Sequence, residues 1–180
     1  MLALVFKFLL AVLYPGLVYW GLSRGVPLRF LTIPLLIAVA GQIAGQSALA
    51  LRLVWLVLAV LLSLGLGVYQ NPLFLKLYPA LISLLFLGAF GLSLSGGESI
   101  IEKFARRSGA PLDNRARAYC RKVTLCWCAF FVFNLLMSLT SAFFLPLEWW
   151  TLYNGLIAYL LMGCLFAGEW LVRRQVSQRP

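Results

Sequence analysis

Residues 98–122 read ESIIEKFARRSGAPLDNRARAYCRK, the one long polar run in a chain of 180 residues that is 63% hydrophobic. Seven of the chain's 15 Lys and Arg residues fall in it, namely Lys103, Arg106, Arg107, Arg115, Arg117, Arg121 and Lys122, against the acids Glu98, Glu102 and Asp113. Directly after it, Val123 to Leu147 carries no charge, and this is longer than the roughly 20 apolar residues with which a helix crosses about 30 Å of hydrocarbon. The run therefore reads as a basic loop, 95–122, between membrane spans. Short loops rich in Lys and Arg stay on the cytoplasmic side, so this one orients every span around it.

Composition points the same way. With only 11% charged residues and a mean hydropathy of +0.95, the chain has more apolar surface than a water-soluble core of this size encloses. Its formal net charge of +10 lies in loops flanking apolar runs, where topology and anionic lipid account for it without nucleic acid. The apolar segments give an all-α, polytopic membrane protein in a single domain, with spans at about 2–20, 30–51, 53–69, 74–94, 123–144 and 149–172 and one short cytoplasmic amphipathic helix. The count is six, or five if 2–20 lies in the interface. Pro15 interrupts the first span and Lys7 snorkels from it. Gln70-Asn71-Pro72 closes the third, Lys76 and Pro79 sit in the first turns of the fourth, and Leu145-Pro146-Leu147-Glu148 forms the last turn. No basic segment precedes the first apolar stretch and no small-x-small site follows it, so no cleavable signal peptide is expected.

Counting cations by side sets the orientation. With the large loop inside, Lys7, Arg52, the seven loop residues, Arg173, Arg174 and Arg179 are inside, and only Arg24, Arg29 and Lys76 are outside. That bias predicts a multi-pass membrane protein with both termini in the cytoplasm. Trp149, Trp150 and Tyr153 are expected at the outer interface and Trp170 at the inner one, where Glu169 and Arg173, spaced i,i+4, form an interfacial ion pair.

Within the loop, Ser95 and Glu98 have capping-box spacing, Ile101, Phe104 and Ala105 share one face, and Gly109 with Pro111 ends the helix. This is the pattern of a helix on the inner leaflet, with Lys103, Arg106, Arg107, Arg115 and Arg117 on lipid headgroups. The plainer reading is a solvated topology signal.

Inside the spans, Gly41-Gln42-Ile43-Ala44-Gly45-Gln46 superimposes G-x-x-x-G on two glutamines four apart. Close helix packing is the simpler reading, and a homo-oligomer interface or the lining of a polar pathway the sharper one. Asn134 and Asn154 face the same choice. Gly163-x-x-x-Ala167 and Cys164-x-x-x-Gly168 offer a second close-packing face. Cys120, Cys126, Cys128 and Cys164 form no C-x-x-C pair, and the chain has no histidine. With no paired carboxylates in a span and no phosphate-cradling loop, the expectation is a non-enzymatic protein without metal or cofactor.

From residue 73 to 172 the chain resembles the bacterial intracellular septation protein A family, small inner-membrane proteins of the YciB type. The likeness rests on a span leading into an amphipathic basic loop, on Trp127-x-x-Phe130-Phe131, and on Leu145-Pro146 followed by Trp150 and Tyr153. Asn154 departs from the lysine that the family tends to carry after that aromatic. The chain is also similar to uncharacterised membrane proteins found beside fatty-acid or aryl-polyene-type synthesis genes. The resemblance implies a scaffold or homeostasis role in envelope biogenesis, with membrane lipids, a second copy or envelope-synthesis proteins as partners. The other reading is an accessory subunit handling a lipid or lipid-like product, with Gln42, Gln46, Asn134 and Asn154 along its path.

Overall fold

The computed structural model describes residues 2–28, 71–109 and 113–177, together with positions 30, 31, 33, 36, 37, 39, 40, 56 and 60. Every regular element among them is helical: α1 (Leu2–Ser23), α2 (Leu73–Ser95), α3 (Ile100–Arg107), α4 (Asn114–Phe144), α5 (Leu147–Leu152), a π-helical turn (Tyr153–Ile157) and α6 (Ala158–Ser177). Three stretches, Leu73–Ser95, Asn114–Phe144 and Leu147–Arg173, are helices long and apolar enough to cross a membrane. The shortest has 23 residues, roughly 34 Å at 1.5 Å per residue. Apart from those isolated positions, the spans expected at 30–51 and 53–69 lie outside the described residues, as do Gly41, Gln42, Gly45 and Gln46 and the Lys7 side chain. Six spans are thus not what the described residues display. They display three candidate spans and, over 2–20, the helix α1.

Exposure along α4 is inverted relative to a soluble helix. Cys120, Val123, Thr124, Trp127, Phe131, Asn134, Ser138, Ser141 and Ala142 are buried, and at 3.6 residues per turn they form one stripe about 100° wide. Four of them are polar, while Leu125, Phe133, Leu136 and Phe144 are exposed. A helix that buries Thr124, Asn134, Ser138 and Ser141 while Leu125, Phe133, Leu136 and Phe144 stay outward is compatible with a hydrocarbon surround.

The described elements pack as two units. In the first, α1 meets the opening turns of α2, α5 and the π-helical turn. Pro79 lies inside α2 and has no N–H, so the Leu75 carbonyl loses its helical donor. The Tyr14 hydroxyl donates to that carbonyl at 3.0 Å, and the Tyr14 and Tyr78 rings lie 5.0 Å apart. Trp150, fully buried, donates from Nε1 to the Lys76 carbonyl at 3.0 Å. Lys76 Nζ donates to the Ala142 carbonyl at 3.3 Å, one of the last four carbonyls of α4, which have no intrahelical partner and attract a cation. Gly155 lets Pro15 approach: a Cβ on Gly155 would lie 3.4 Å from Pro15 Cβ.

The second unit is built on Val123, Trp127 and Phe131, against which Leu87, Phe90, Ile101, Tyr119, Met162 and Leu165 pack. Phe131 contacts Phe86 and Phe90 with ring centroids at 5.3 and 5.2 Å, and Trp127 meets Phe166 at 4.6 Å. Asn134 Nδ2 donates to Ser83 Oγ at 2.8 Å, and Ser83 donates in turn to the Pro79 carbonyl at 3.0 Å.

Candidate functional site at the junction of α3 and α4

Residues 95–122 are a connector only in part. α4 starts at Asn114, nine residues before the expected Val123, because Asp113 caps it: its carboxylate accepts the Ala116 N–H at 2.6 Å and its carbonyl accepts the Arg117 N–H at 3.0 Å. Arg115, Arg117, Arg121 and Lys122 are therefore helical. The extension is held by the Tyr119 hydroxyl, which donates to the Glu169 carbonyl on α6 at 3.3 Å.

The cap of α3 also differs from expectation. Ser95 ends α2 and Glu98 is outside any helix, whereas Ser99 is the N-cap and accepts the Glu102 N–H at 3.3 Å. Ser95-x-x-Glu98 and Ser99-x-x-Glu102 share one spacing. The chain must turn between them at Gly97, whose φ of +84° suits glycine. Ser93 Oγ accepts the Ile100 N–H at 3.0 Å and fastens the start of α3 to the end of α2. Gly109, at φ +76°, closes the helix.

The face of α3 is correspondingly resorted. Ile101 and Glu102 turn inward: Ile101 packs on the aromatic core and Glu102 is buried. Phe104, expected beside Ile101, is 56% exposed. Glu102 Oε1 lies 3.6 Å from Arg117 Nε, and Glu98 pairs with Arg106. With the Arg117 side chain 54% exposed, solvent screens this pair to about 1 kcal/mol or less. Its greater consequence is that a buried carboxylate has a counter-charge. A cleft of about 210 Å³ opens here, lined by Gly97, Glu98, Ser99, Glu102, Arg117 and Arg121 among others. Charges in it can orient an ionic group, while its hydroxyl, Ser99, is engaged as a cap.

The expected headgroup residues thus divide. Arg106 and Arg117 are in ion pairs, whereas Lys103, Arg107 and Arg115 are exposed and make no ion pair among the described residues. Asn134 bonds Ser83. Asn154 donates to Ser141 Oγ at 3.2 Å and to the Trp150 carbonyl at 2.9 Å. Arg173 Nε lies 3.7 Å from Glu169 Oε1. Trp150 and Tyr153, expected at an interface, are buried, while Trp149 is exposed. Gly163 and Gly168, expected to pack closely, have no such neighbour among the described residues. Sequence reading passed over Tyr14 and gave Lys76 no partner. A proline inside a span, which strands an acceptor one turn earlier, was the available signal for Tyr14.

Among the described residues no group of His, Cys, Asp or Glu is arranged to hold a metal ion. The class these features define is an all-helical protein with three helices compatible with membrane insertion. No family model, no curated protein and no solved structure matches the chain.

Proposed function

We infer that the chain is a six-span bacterial inner-membrane protein, with its basic connector and both termini in the cytoplasm, that serves as a non-enzymatic scaffold or homeostasis factor in envelope biogenesis, in the manner of the septation protein A family. The observation carrying this reading is how the polar groups within the apolar helices are used. Among the described residues, every buried side-chain nitrogen and oxygen has a hydrogen-bond partner, and Asn134 and Asn154 are engaged in contacts between helices. Groups committed to packing hold helices together, whereas a pathway keeps polar groups for a substrate. Trp127, Phe130 and Phe131, on which the resemblance rests, form or border the core, so what is shared is a packing pattern.

Affinity capture of the full chain from membranes solubilised in a mild detergent tests the reading. Envelope-synthesis membrane proteins are expected in the eluate, and a lone monomer without partners overturns it. Replacing Gln42 and Gln46 together by leucine separates the scaffold from lipid handling: partner capture persists in a scaffold, whereas a polar pathway fails.

A further inference from the structure

Helix α3 cannot sit far from the membrane if α2 and α4 cross it, and on that proposed crossing this inference rests. Four residues separate Ser95 from Ile100, a reach of at most about 18 Å, and the Ile100 N–H is bonded back to Ser93 inside α2. Ile101 is packed on Val123, Trp127 and Phe131. One side of α3 is thereby occupied by the protein itself.

What remains outward is specific. At 100° per residue, Ile100 and Phe104 stand together, with Arg107 and Lys103 next around the helix. Phe104 is 56% exposed, and Lys103 and Arg107 are exposed. Both acids of this region are turned to other cations, Glu98 to Arg106 and Glu102 to Arg117. The outward face therefore combines one aromatic ring with cations that no described acid neutralises. An isolated exposed ring on a soluble surface needs no explanation. Here it lies on a helix pinned within a few residues of two apolar helices, beside uncompensated positive charge, which is how an interfacial helix meets an anionic leaflet.

We propose that α3 docks on the cytoplasmic leaflet as a headgroup clamp, with Phe104 inserted at the acyl boundary and Lys103 and Arg107 on the phosphates of anionic glycerophospholipids. The ion pairs at Glu98 and Glu102 position the clamp: they remove carboxylates from the lipid-facing side and set the roll of the helix so that Phe104 faces outward.

The test uses the full chain in nanodiscs of phosphatidylcholine alone or with phosphatidylglycerol, with p-benzoylphenylalanine at position 104 and, separately, at position 84. Leu84 is half exposed on α2 and reports the crossing. After irradiation, mass spectrometry is expected to find lipid adducts at both positions, with phosphatidylglycerol enriched at 104 over its share of the disc. Replacing Lys103 and Arg107 together by glutamine should lower the adduct at 104 about fivefold or more, since each cation near an anionic surface is worth about a fivefold change in partition, and should leave the adduct at 84 unchanged. Lipid adducts at 84 with none at 104, or cross-links from 104 to protein, overturn the clamp and leave the crossing standing. No lipid at either position overturns the crossing itself. Equal yields at 104 with and without phosphatidylglycerol overturn the phosphate assignment.

Discussion

The Tyr14 hydroxyl donates to the Leu75 carbonyl at 3.0 Å, occupying the acceptor that Pro79, which has no N–H, leaves unfilled in α2. A helix that would otherwise present a bare carbonyl is completed from α1. The proline and the tyrosine are therefore one device, separated by 65 positions in sequence by subtraction of 14 from 79. Tyr14→Phe should destabilise the protein by about 0.5–2 kcal/mol, because a buried acceptor loses its donor. In a Pro79→Ala background, where an N–H is restored to the helix, the same change should cost less than about 0.5 kcal/mol. Thermal unfolding of the four proteins in one detergent measures the coupling, and purely additive effects would refute the linkage.

Asn134 and Ser83 supply a comparable contact in the second unit. Ser83→Ala should lower stability by about 0.6 kcal/mol, within the range for hydrogen bonds between helices in a membrane. Asn134→Leu should cost more than Ser83→Ala, since Asn134 is buried and a branched apolar side chain must be fitted into its place. Denaturation of both variants in mixed micelles checks the order, and Asn134→Leu more stable than the parent chain would speak against a packing role.

Removal of the Ser99 cap offers a local test. Ser99→Ala should weaken α3 by about 1 kcal/mol, raising amide exchange about fivefold over 100–107 while leaving 123–144 unchanged. Uniform loss of protection across the chain would mean that α3 is not an independently fastened element.

Close approach of Pro15 to Gly155 predicts a graded response to side-chain size. Gly155→Ala places a methyl at ordinary contact distance and should change the melting temperature little. Gly155→Leu must displace α1 or the π-helical turn, at a cost of about 1–3 kcal/mol. Equal melting temperatures for the two would show that this contact does not close up in solution.

What the sequence made legible, and what it did not, follows from the kind of signal each feature leaves. Leu73–Ser95 was readable to within a residue at each end because the hydrophobic run is bounded by the Gln70-Asn71-Pro72 breaker before it and the polar run after it. The first nine residues of α4 were not, since the apolar run begins only at Val123 while the helix extends back through charged residues to Asp113's cap. Ser95-x-x-Glu98 and Ser99-x-x-Glu102 were indistinguishable by spacing, and the φ of Gly97 decided between them. The π-helical turn at Tyr153–Ile157 has no periodic signature in a segment that is apolar on all sides. Which apolar residues face inward on α4 was equally hidden, and the informative positions were polar ones, since Thr124, Asn134, Ser138 and Ser141 are buried and only Thr140 of the helix's polar residues beyond Val123 is exposed.

Sidedness of the connector between α3 and α4 is the claim on which the proposed topology, scaffold and leaflet contact all depend, and reporter fusion at Gly109 measures it directly. Green fluorescent protein fused there should fluoresce and alkaline phosphatase should be inactive, placing the connector in the cytoplasm. An active phosphatase with a dark fluorescent fusion would put the cations of α3 on the far side of the membrane and contradict the account.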